Sequence, residues 1–549
     1  RSALAEPPGG APPAAAVTQD PAPQVLPLAP ALKGNRPRSN PTVLPPAATV
    51  LPPDLQRLGA PAPLALPDKT SQVRIRELRP LSLNDVETLA EVNNPNLKAL
   101  ASQVKQAAFA LQAEISLWYP QLNFRGNAFP TYTGGQQFST SITGTGQQRG
   151  LTLSSIWRMQ AALEAGWGLI NPARNPRIAA ARDGYEKAKN QYLIALRELR
   201  LQAAQAYFQL QVSDERVRIG QQSVGASLIS LRDAKARFQA GVATKLEVLQ
   251  AETQLGRDQQ LLSDSLAQQS IARRDLARLL DLPQNTTPTS KEPLVALGVW
   301  QPSLEESVVA AYSFREELDN IILDISASNS QANSALGAVQ PFMTLVNSLL
   351  ATRFTGNESV IVDLQGNYGY AVENSVGLNF KWSLFDGGAA RAQYRQYKQK
   401  AQENAFNFAK TRNELRFQVE QSYQQLANST RNIQTTSKEV VSAREGLRLA
   451  RLRFQAGVTT QREVVEQQRD LTQAEIRYAD AVAGYNNYLA ELRRRTGLDR
   501  VAVCRGTQLP AIRPALVDSE TVPVPPSQLI PACSTSPASA SLGRATKSS

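Results

Sequence analysis

The residue types that usually carry enzyme chemistry are almost absent from this chain. Its 549 residues include no His and two Cys, Cys504 and Cys533. Without His, acid–base catalysis by imidazole, His-containing triads and His-ligated metal sites are excluded. Two Cys are too few for Cys-rich zinc or iron–sulfur sites. We therefore expect a protein that is not an enzyme and that holds no metal and no cofactor.

Charge and hydropathy exclude further classes. The formal charge is +12, from 59 Lys+Arg against 47 Asp+Glu, and no dense basic cluster suggests nucleic acid. No apolar run approaches the roughly 18 to 20 residues of a membrane-spanning helix.

Ala3-Leu4-Ala5 before Glu6 resembles the end of a signal-peptide cleavage site. In an exported protein, Cys504 and Cys533 can form a disulfide.

Proline divides the chain into tails and a central region. Eighteen of the 35 prolines lie within residues 1–80, and seven more lie between Pro510 and Pro537. We therefore predict an N-terminal extension over 1–80 and a C-terminal tail over 501–549, both low in complexity and unable to bury a core. No proline occurs from 177 to 282 or from 342 to 509, so long helices can run there.

The central region is a tandem duplication. Arg237-Phe238-Gln239-Ala240-Gly241-Val242 recurs 216 residues later as Arg453-Phe454-Gln455-Ala456-Gly457-Val458. The two units, 81–300 and 301–500, are far longer than solenoid repeats. Residues rich in Ala, Gln, Leu, Arg and Glu favour helices, and the narrow apolar stripes suit coiled-coil packing. The predicted helices are 82–116, 175–239 and 242–280 in the first unit, and 303–339, 388–455 and 458–496 in the second.

Two segments alternate with a period of two, which predicts strands. Nine of the ten odd positions over 151–169 are apolar, in a strand predicted over 151–170. Most even positions of 368–384 are apolar as well, within a strand predicted over about 360–385. Weaker strands are predicted over 119–133 and 341–354. A soluble sheet is the alternative, but both strong strands are overlong and carry aromatic residues at their ends, which favours a membrane barrel. The lipid-facing residues would be Trp157, Leu163, Trp167, Tyr370, Phe380 and Trp382.

Four strands cannot close a barrel, because the smallest membrane barrels have about eight. An open sheet edge in lipid leaves backbone groups unsatisfied at several kcal/mol each. The chain is therefore expected to oligomerise, each copy adding four strands to a shared barrel.

Over about 82–500 the sequence resembles the TolC family of bacterial outer-membrane efflux proteins. The resemblance rests on the duplicated helix–strand–strand–helix unit, the paired Arg-Phe-Gln-Ala-Gly-Val segments and three local motifs. These motifs are Asn93-Asn94-Pro95-Asn96-Leu97, Leu117-Trp118-Tyr119-Pro120-Gln121 and Trp382-Ser383-Leu384-Phe385-Asp386-Gly387-Gly388.

The resemblance implies a mainly α protein with membrane β structure. It implies a homotrimer whose 12-stranded β-barrel in the outer membrane continues into a long α-helical, coiled-coil barrel across the periplasm. It also implies an exit duct for small molecules or proteins in a tripartite efflux or type I secretion system. The partners would be outer-membrane lipid, a periplasmic adaptor and an inner-membrane pump or ABC transporter.

The resemblance further implies a periplasmic gate just beyond the helix-hairpin tips. The matching carboxylates are Glu463 and Glu466, with Glu247 at the equivalent place in the first unit. Family members usually carry Asp at the two second-unit positions. Some also close the gate with an Arg where this chain has Thr459, so that salt bridge is absent, although Arg462 lies nearby.

The hairpin tips are the expected adaptor contacts, namely Gly241, Val242, Thr244, Gly457, Val458 and Thr460. The alternative for the tips is a simple helix-capping turn. The alternative for the whole chain is a coiled-coil structural protein of the cell envelope that forms no channel.

Overall fold

The computed structural model describes residues 46–143, 146–359, 368–498 and 501–502. Helices dominate, and two very long ones set the length of the molecule: α4 has 66 residues and α8 has 67. Each long helix follows a pair of strands and turns back into a shorter helix. At 1.5 Å per residue each long helix spans about 100 Å.

The first unit, together with the short segment before it, contains four β-strands and five α-helices among the described residues. Its elements are α1 Thr70–Val73, β1 Glu77–Leu81, α2 Leu83–Asn93, α3 Pro95–Ile115, β2 Gln121–Thr143, β3 Gly146–Ile170, α4 Arg174–Gln239, α5 Lys245–Leu279 and β4 Thr286–Ser290. The second unit repeats the order: β5 Val299–Trp300, α6 Leu304–Phe314, α7 Glu316–Gly337, β6 Phe342–Ser359, β7 Tyr368–Lys381, α8 Ala389–Gln455, α9 Gln461–Thr496 and β8 Val501–Ala502.

One antiparallel sheet joins the two units, in the order β2-β3-β6-β7. The central strands β3 and β6 come from different units and pair from Leu153 with Ser359 to Ile170 with Met343. The strands predicted over 119–133 and 341–354 were too short. Strand β2 pairs with β3 as far as Thr143, and β6 pairs with β3 as far as Ser359. Part of the strand predicted over 360–385 lies outside the described residues.

The helices predicted over 82–116 and 303–339 are each broken into two. In the first, the Asn94 side chain accepts hydrogen bonds from the backbone N–H groups of Asn96 and Leu97 and so caps α3. Pro95 cannot donate a backbone hydrogen bond to α2 but fits the first position of α3. In the second, Arg315 is extended (φ −88°, ψ 124°), and its buried guanidinium binds Glu317.

The prediction that all of 1–80 is an extension without a core was wrong for its last third. Leu55 and Leu58 are buried in the main hydrophobic cluster, against α2, α4 and α5. Strand β1 pairs in parallel with β4 over five residues. The high proline content obscured these leucines, since a short proline-rich segment can dock on a core that other elements provide. Residues 1–45 lie outside the described residues.

The predicted C-terminal tail begins with a short pairing to the body of the protein. Val501 and Ala502 of β8 pair with Trp300 and Val299 of β5. The rest of the tail, including Cys504 and Cys533, lies outside the described residues.

A buried ionic network ties the two units together at the α6–α7 break. Arg197 on α4 contacts Glu316 on α7 at 2.8 Å, and both side chains are 4% exposed. Arg494 on α9 bridges Glu198 on α4 (3.1 Å) and Glu317 on α7 (2.9 Å). Burial opposes ionisation of Glu317, but its partners Arg315 and Arg494 lower its pKa to about 2. Opposite charges pair across the helices here, so the network positions helices of both units.

Asp183, by contrast, is buried without a satisfying partner. It is 1% exposed on α4, and neither carboxylate oxygen makes a hydrogen bond. Burial raises its pKa to about 6, an effect that the neighbouring Ser326 hydroxyl and Arg182 only partly offset and that Glu186 reinforces. At neutral pH the folded chain therefore holds a buried charge that is only partly compensated.

We predict that Asp183→Asn stabilises the protein at pH 7.5. The pKa is higher in the folded than in the unfolded state, so the favourable contribution of Asp183 is present below pH 3.8 and is lost as the pH rises through about 6. The gain at pH 7.5 should be at most about 3 kcal/mol and should vanish at pH 4. Thermal unfolding at both pH values measures it.

The control is Asp324→Asn, which removes a carboxylate paired with Lys187 at 2.7 Å. This substitution should not stabilise the protein at pH 7.5. A gain for Asp183→Asn that is equal at pH 4 and pH 7.5 would contradict the assigned ionisation.

Candidate functional site

The four-stranded sheet exposes one continuous apolar surface. Residues that pair across antiparallel strands point to the same side, so the register defines this face. Trp157 on β3 pairs with Tyr132 and Thr355, and Leu163 pairs with Phe124 and Leu349. We call this surface the apolar sheet face; its exposed large apolar residues are Leu122, Phe124, Tyr132, Trp157, Met159, Leu163, Trp167, Leu349, Tyr370, Val372, Val376, Leu378 and Phe380.

The opposite side of the sheet is largely polar. Arg125 on β2 and Glu164 on β3 form an ion pair of 3.1 Å there. Gln160 donates to the Thr352 hydroxyl at 3.5 Å on the same side. An exposed apolar surface of this extent indicates an interaction surface. Apolar and polar residues alternate along its strands, as they do in strands that lie between lipid and water.

The register brings five of the predicted lipid-facing residues onto the apolar sheet face: Trp157, Leu163, Trp167, Tyr370 and Phe380. Aromatic rings cluster at two levels along β3. The helix-proximal level lies at Trp167 and the far level at Trp157, ten residues or about 33 Å away. At the far level the rings of Tyr132 and Trp157 lie 5.1 Å apart. Trp382 lies one residue beyond the end of β7 and is exposed.

The tryptophans at the helix-proximal level also fasten strands to helices, which sequence reasoning missed. The indole N–H of Trp167 donates to the Trp118 carbonyl at 2.9 Å, and that of Trp382 donates to the Val339 carbonyl at 3.1 Å. The contact occurs in both units. The recurrence of Trp167 as Trp382 was the available signal.

A second junction contact occurs in the first unit alone. The Arg174 guanidinium lies 3.3 Å from the centre of the Trp118 ring and donates to the Gly168 carbonyl at 2.8 Å. The corresponding position of the second unit, 215 residues later as Trp382 is from Trp167, is Ala389, the first residue of α8. The sequence contained no signal for this role, because one arginine at a helix start is unremarkable.

The two helix-hairpin tips have the same backbone geometry. Gly241 and Gly457 adopt φ of 75° and 74°, a left-handed conformation that favours glycine. The N–H of Val242 donates to the Arg237 carbonyl at 3.0 Å, and the N–H of Val458 donates to the Arg453 carbonyl at 2.9 Å. The helix predicted over 242–280 begins at Lys245, because Gly241 ends α4 and Thr244 caps α5.

The tips also present apolar side chains to solvent. Val242 is 66% exposed and Val458 is 70% exposed. Thr244 accepts a hydrogen bond from the N–H of Glu247 at 3.4 Å, while Thr460 makes no side-chain cap. The capping-turn interpretation therefore accounts for the glycines and Thr244 but leaves both valines without a structural role.

The predicted gate carboxylates of the second unit are ion-paired. Glu463 accepts from Arg453 at 2.7 Å and from the Thr459 hydroxyl. Glu466 pairs with Arg462 at 2.8 Å. Arg462 is therefore committed to Glu466, and Arg453, which sequence reasoning did not select, binds Glu463. The signal was present, since Arg453 opens the duplicated tip segment.

The equivalent Arg237 of the first unit has a different partner. Its guanidinium lies 4.3 Å from the centre of the Phe454 ring and donates to the Phe454 carbonyl at 3.3 Å. Glu247 has no ion-pair partner among the described residues, and its carboxylate accepts a hydrogen bond from the Thr244 hydroxyl at 3.4 Å. Arg237 of the first tip thus contacts the second tip, whereas Arg453 of the second tip pairs within its own hairpin.

The described ranges lack two kinds of feature. None of the helices in those ranges is both long and apolar enough to cross a membrane. The same ranges contain no group of three or more Cys, Asp or Glu arranged to hold a metal ion.

Comparison with known proteins identifies one family. The family model for outer membrane efflux proteins matches residues 88–281 and 310–498. Nodulation protein T of Rhizobium leguminosarum bv. trifolii is 24% identical over 295 residues, which are 52% of this chain and 60% of that protein. The pyoverdine export outer membrane protein OpmQ of Pseudomonas aeruginosa is 26% identical over 325 residues, 59% of this chain and 65% of that protein. The chain thus spans less than two thirds of the length of these two curated relatives.

Solved structures share the fold. The outer-membrane channel OprN superposes with a TM-score of 0.63 at 19% identity, covering 83% of this chain and 99% of that one. CusC superposes with a TM-score of 0.62 at 16% identity, covering 81% and 99%. At these identities the likeness concerns the fold alone.

We predict that Leu163→Arg, on the apolar sheet face, destabilises the protein in lipid. A guanidinium near the bilayer centre costs about 2–4 kcal/mol. Urea unfolding in phosphatidylcholine vesicles measures the loss. The matched control is Gln160→Arg, on the polar side of the same strand, which should cost little. Equal losses for the two variants would contradict the assigned faces.

Proposed function

The chain belongs to the outer membrane efflux protein family, and on that premise we propose that it forms the outer-membrane exit duct of a bacterial export system. The observation that carries the proposal is the apolar sheet face, whose breadth and aromatic borders fit a bilayer. The long helices then continue the duct into the periplasm, because both follow strands of this one sheet.

The sheet supports a homotrimer. Strands β2 and β7 are its two edges, and each has one row of backbone groups without a partner strand. In lipid such groups cost several kcal/mol each, so the edges must pair with other copies. Three copies supply twelve strands, with β7 of one copy beside β2 of the next.

The helices support the same assembly. The hairpins α4–α5 and α8–α9 of three copies form a tube of about 100 Å with six tips at its end. We propose that these tips, with Val242 and Val458 exposed, contact a periplasmic adaptor, and that an inner-membrane pump or ABC transporter loads the duct. The substrates are small molecules, proteins or both.

Glu463 and Glu466 then form the periplasmic gate, with Glu247 and Thr459 beside them. A threefold axis repeats these carboxylates around a narrow entrance, where rings of acidic residues favour cations. Arg453 and Arg462 supply the nearby positive charge in the closed state. Thr459 contributes a hydrogen bond to Glu463 in place of an arginine.

Detergent extraction and planar-bilayer conductance test the duct. We expect the full chain to require detergent, to purify as a trimer and to produce discrete channel openings. A monomer released from membranes by salt alone, without conductance, would contradict the proposal and favour the structural coiled-coil protein.

For the gate, we predict that Glu463→Ala with Glu466→Ala lowers the cation preference of the open channel, measured as the reversal potential in a salt gradient. The control is Glu420→Ala on α8. Glu420 pairs with Arg416 at 2.7 Å with the same four-residue spacing as Arg462 and Glu466, but far from the tips. A double variant that keeps the wild-type reversal potential would refute the gate assignment.

A further inference from the structure

One charged side chain lies on the apolar sheet face. Arg353 on β6 pairs with Met159 on β3 and with Tyr370 on β7, so it points to the same side as both. Its side chain is exposed. Among the strand residues of this sheet whose side chains the structure describes, the other charged ones lie on the polar side: Arg125, Arg158, Glu164, Glu373 and Lys381.

Arg353 lies near the end of the apolar sheet face that is distant from the helices. Leu345 pairs with Trp167 at the helix-proximal aromatic level, and Arg353 is eight residues, about 26 Å, further along β6. Thr355, two residues beyond, pairs with Trp157 at the far level. Arg353 therefore lies just inside the far aromatic level, within reach of the interface by extension of its methylene stem.

No described residue neutralises this guanidinium. Arg353 makes no ion pair or hydrogen bond with a described residue, and its pairing neighbours Met159 and Tyr370 carry no charge. A cation facing lipid is tolerated near an interface but not at the bilayer centre. What remains to satisfy it is the head-group layer, whose phosphates accept two parallel guanidinium hydrogen bonds.

We propose that Arg353 binds the phosphate of a lipid head group in the leaflet distal to the helices, giving one lipid-phosphate site per protomer on the outside of the barrel. The rings of Tyr132, Trp157 and Tyr370 flank this site and provide amphipathic contacts at head-group depth. The inference rests on the proposed function, because it requires the apolar sheet face to lie in a membrane.

Phosphatidic acid, a lipid with a phosphate monoester, is the probe. The full-length trimer in non-ionic detergent is titrated with fluorescent phosphatidic acid and with phosphatidylcholine. We expect preference for phosphatidic acid, about tenfold weaker binding in Arg353→Gln and a partial loss in Arg353→Lys, which keeps the charge but not the two-pronged geometry. The matched control Arg158→Gln, one residue pair away on the polar side, should bind as the wild type does.

Three outcomes overturn the inference: unchanged binding in Arg353→Gln, an equal loss in Arg158→Gln, or displacement of the lipid by inorganic phosphate at comparable concentration, which would indicate a free-phosphate site. Trimer formation and conductance are measured on the same samples. Conducting trimers of every variant with unchanged lipid binding refute the lipid site alone, whereas a wild-type chain that neither trimerises nor conducts refutes the duct.

Discussion

The need to satisfy backbone hydrogen bonds governs this molecule. A sheet of four strands with two free edges is stable in water but not in hydrocarbon, where no solvent can bond to the edge groups. The duplication brings two strands from each unit into one sheet, and β3 beside β6 makes the units inseparable. In the proposed duct the remaining edges pair with other copies, which couples membrane insertion to assembly.

In the helical part of the chain, apolar contacts form narrow stripes, and polar contacts help to position the helices. The Arg197–Glu316 pair and the Arg494 bridge lie where α6 gives way to α7, and they hold helices of both units at one height. Such buried pairs add little net stability, but breaking one leaves an uncompensated charge. Asp183, nearer the sheet, is an exception that weakens the α4 packing at neutral pH.

The strands and tips could be predicted from the sequence because their signals are local. Alternation around Trp157 and Trp167 identifies a strand and its faces, and the duplicated glycines identify the turns. The breaks at Asn94 and Arg315, by contrast, depend on what their side chains contact in the folded protein. So does the docking of Leu55, and so does the pairing of Arg453 with Glu463 rather than with a residue of its own helix.

The unequal tips restrict how the hairpins can move. Arg237 contacts the Phe454 ring and carbonyl across the two units, and this latch opposes outward movement of the α8–α9 hairpin alone. It must either detach from this latch or carry α4 with it. In the proposed tube, the energy barrier to widening is thus shared between contacts within the second hairpin and contacts that couple the hairpins, which include the Arg237–Phe454 latch and the pairs Gln461–Ser230 and Arg216–Asp480. Three copies would place three such latches around the circumference and make dilation a concerted step.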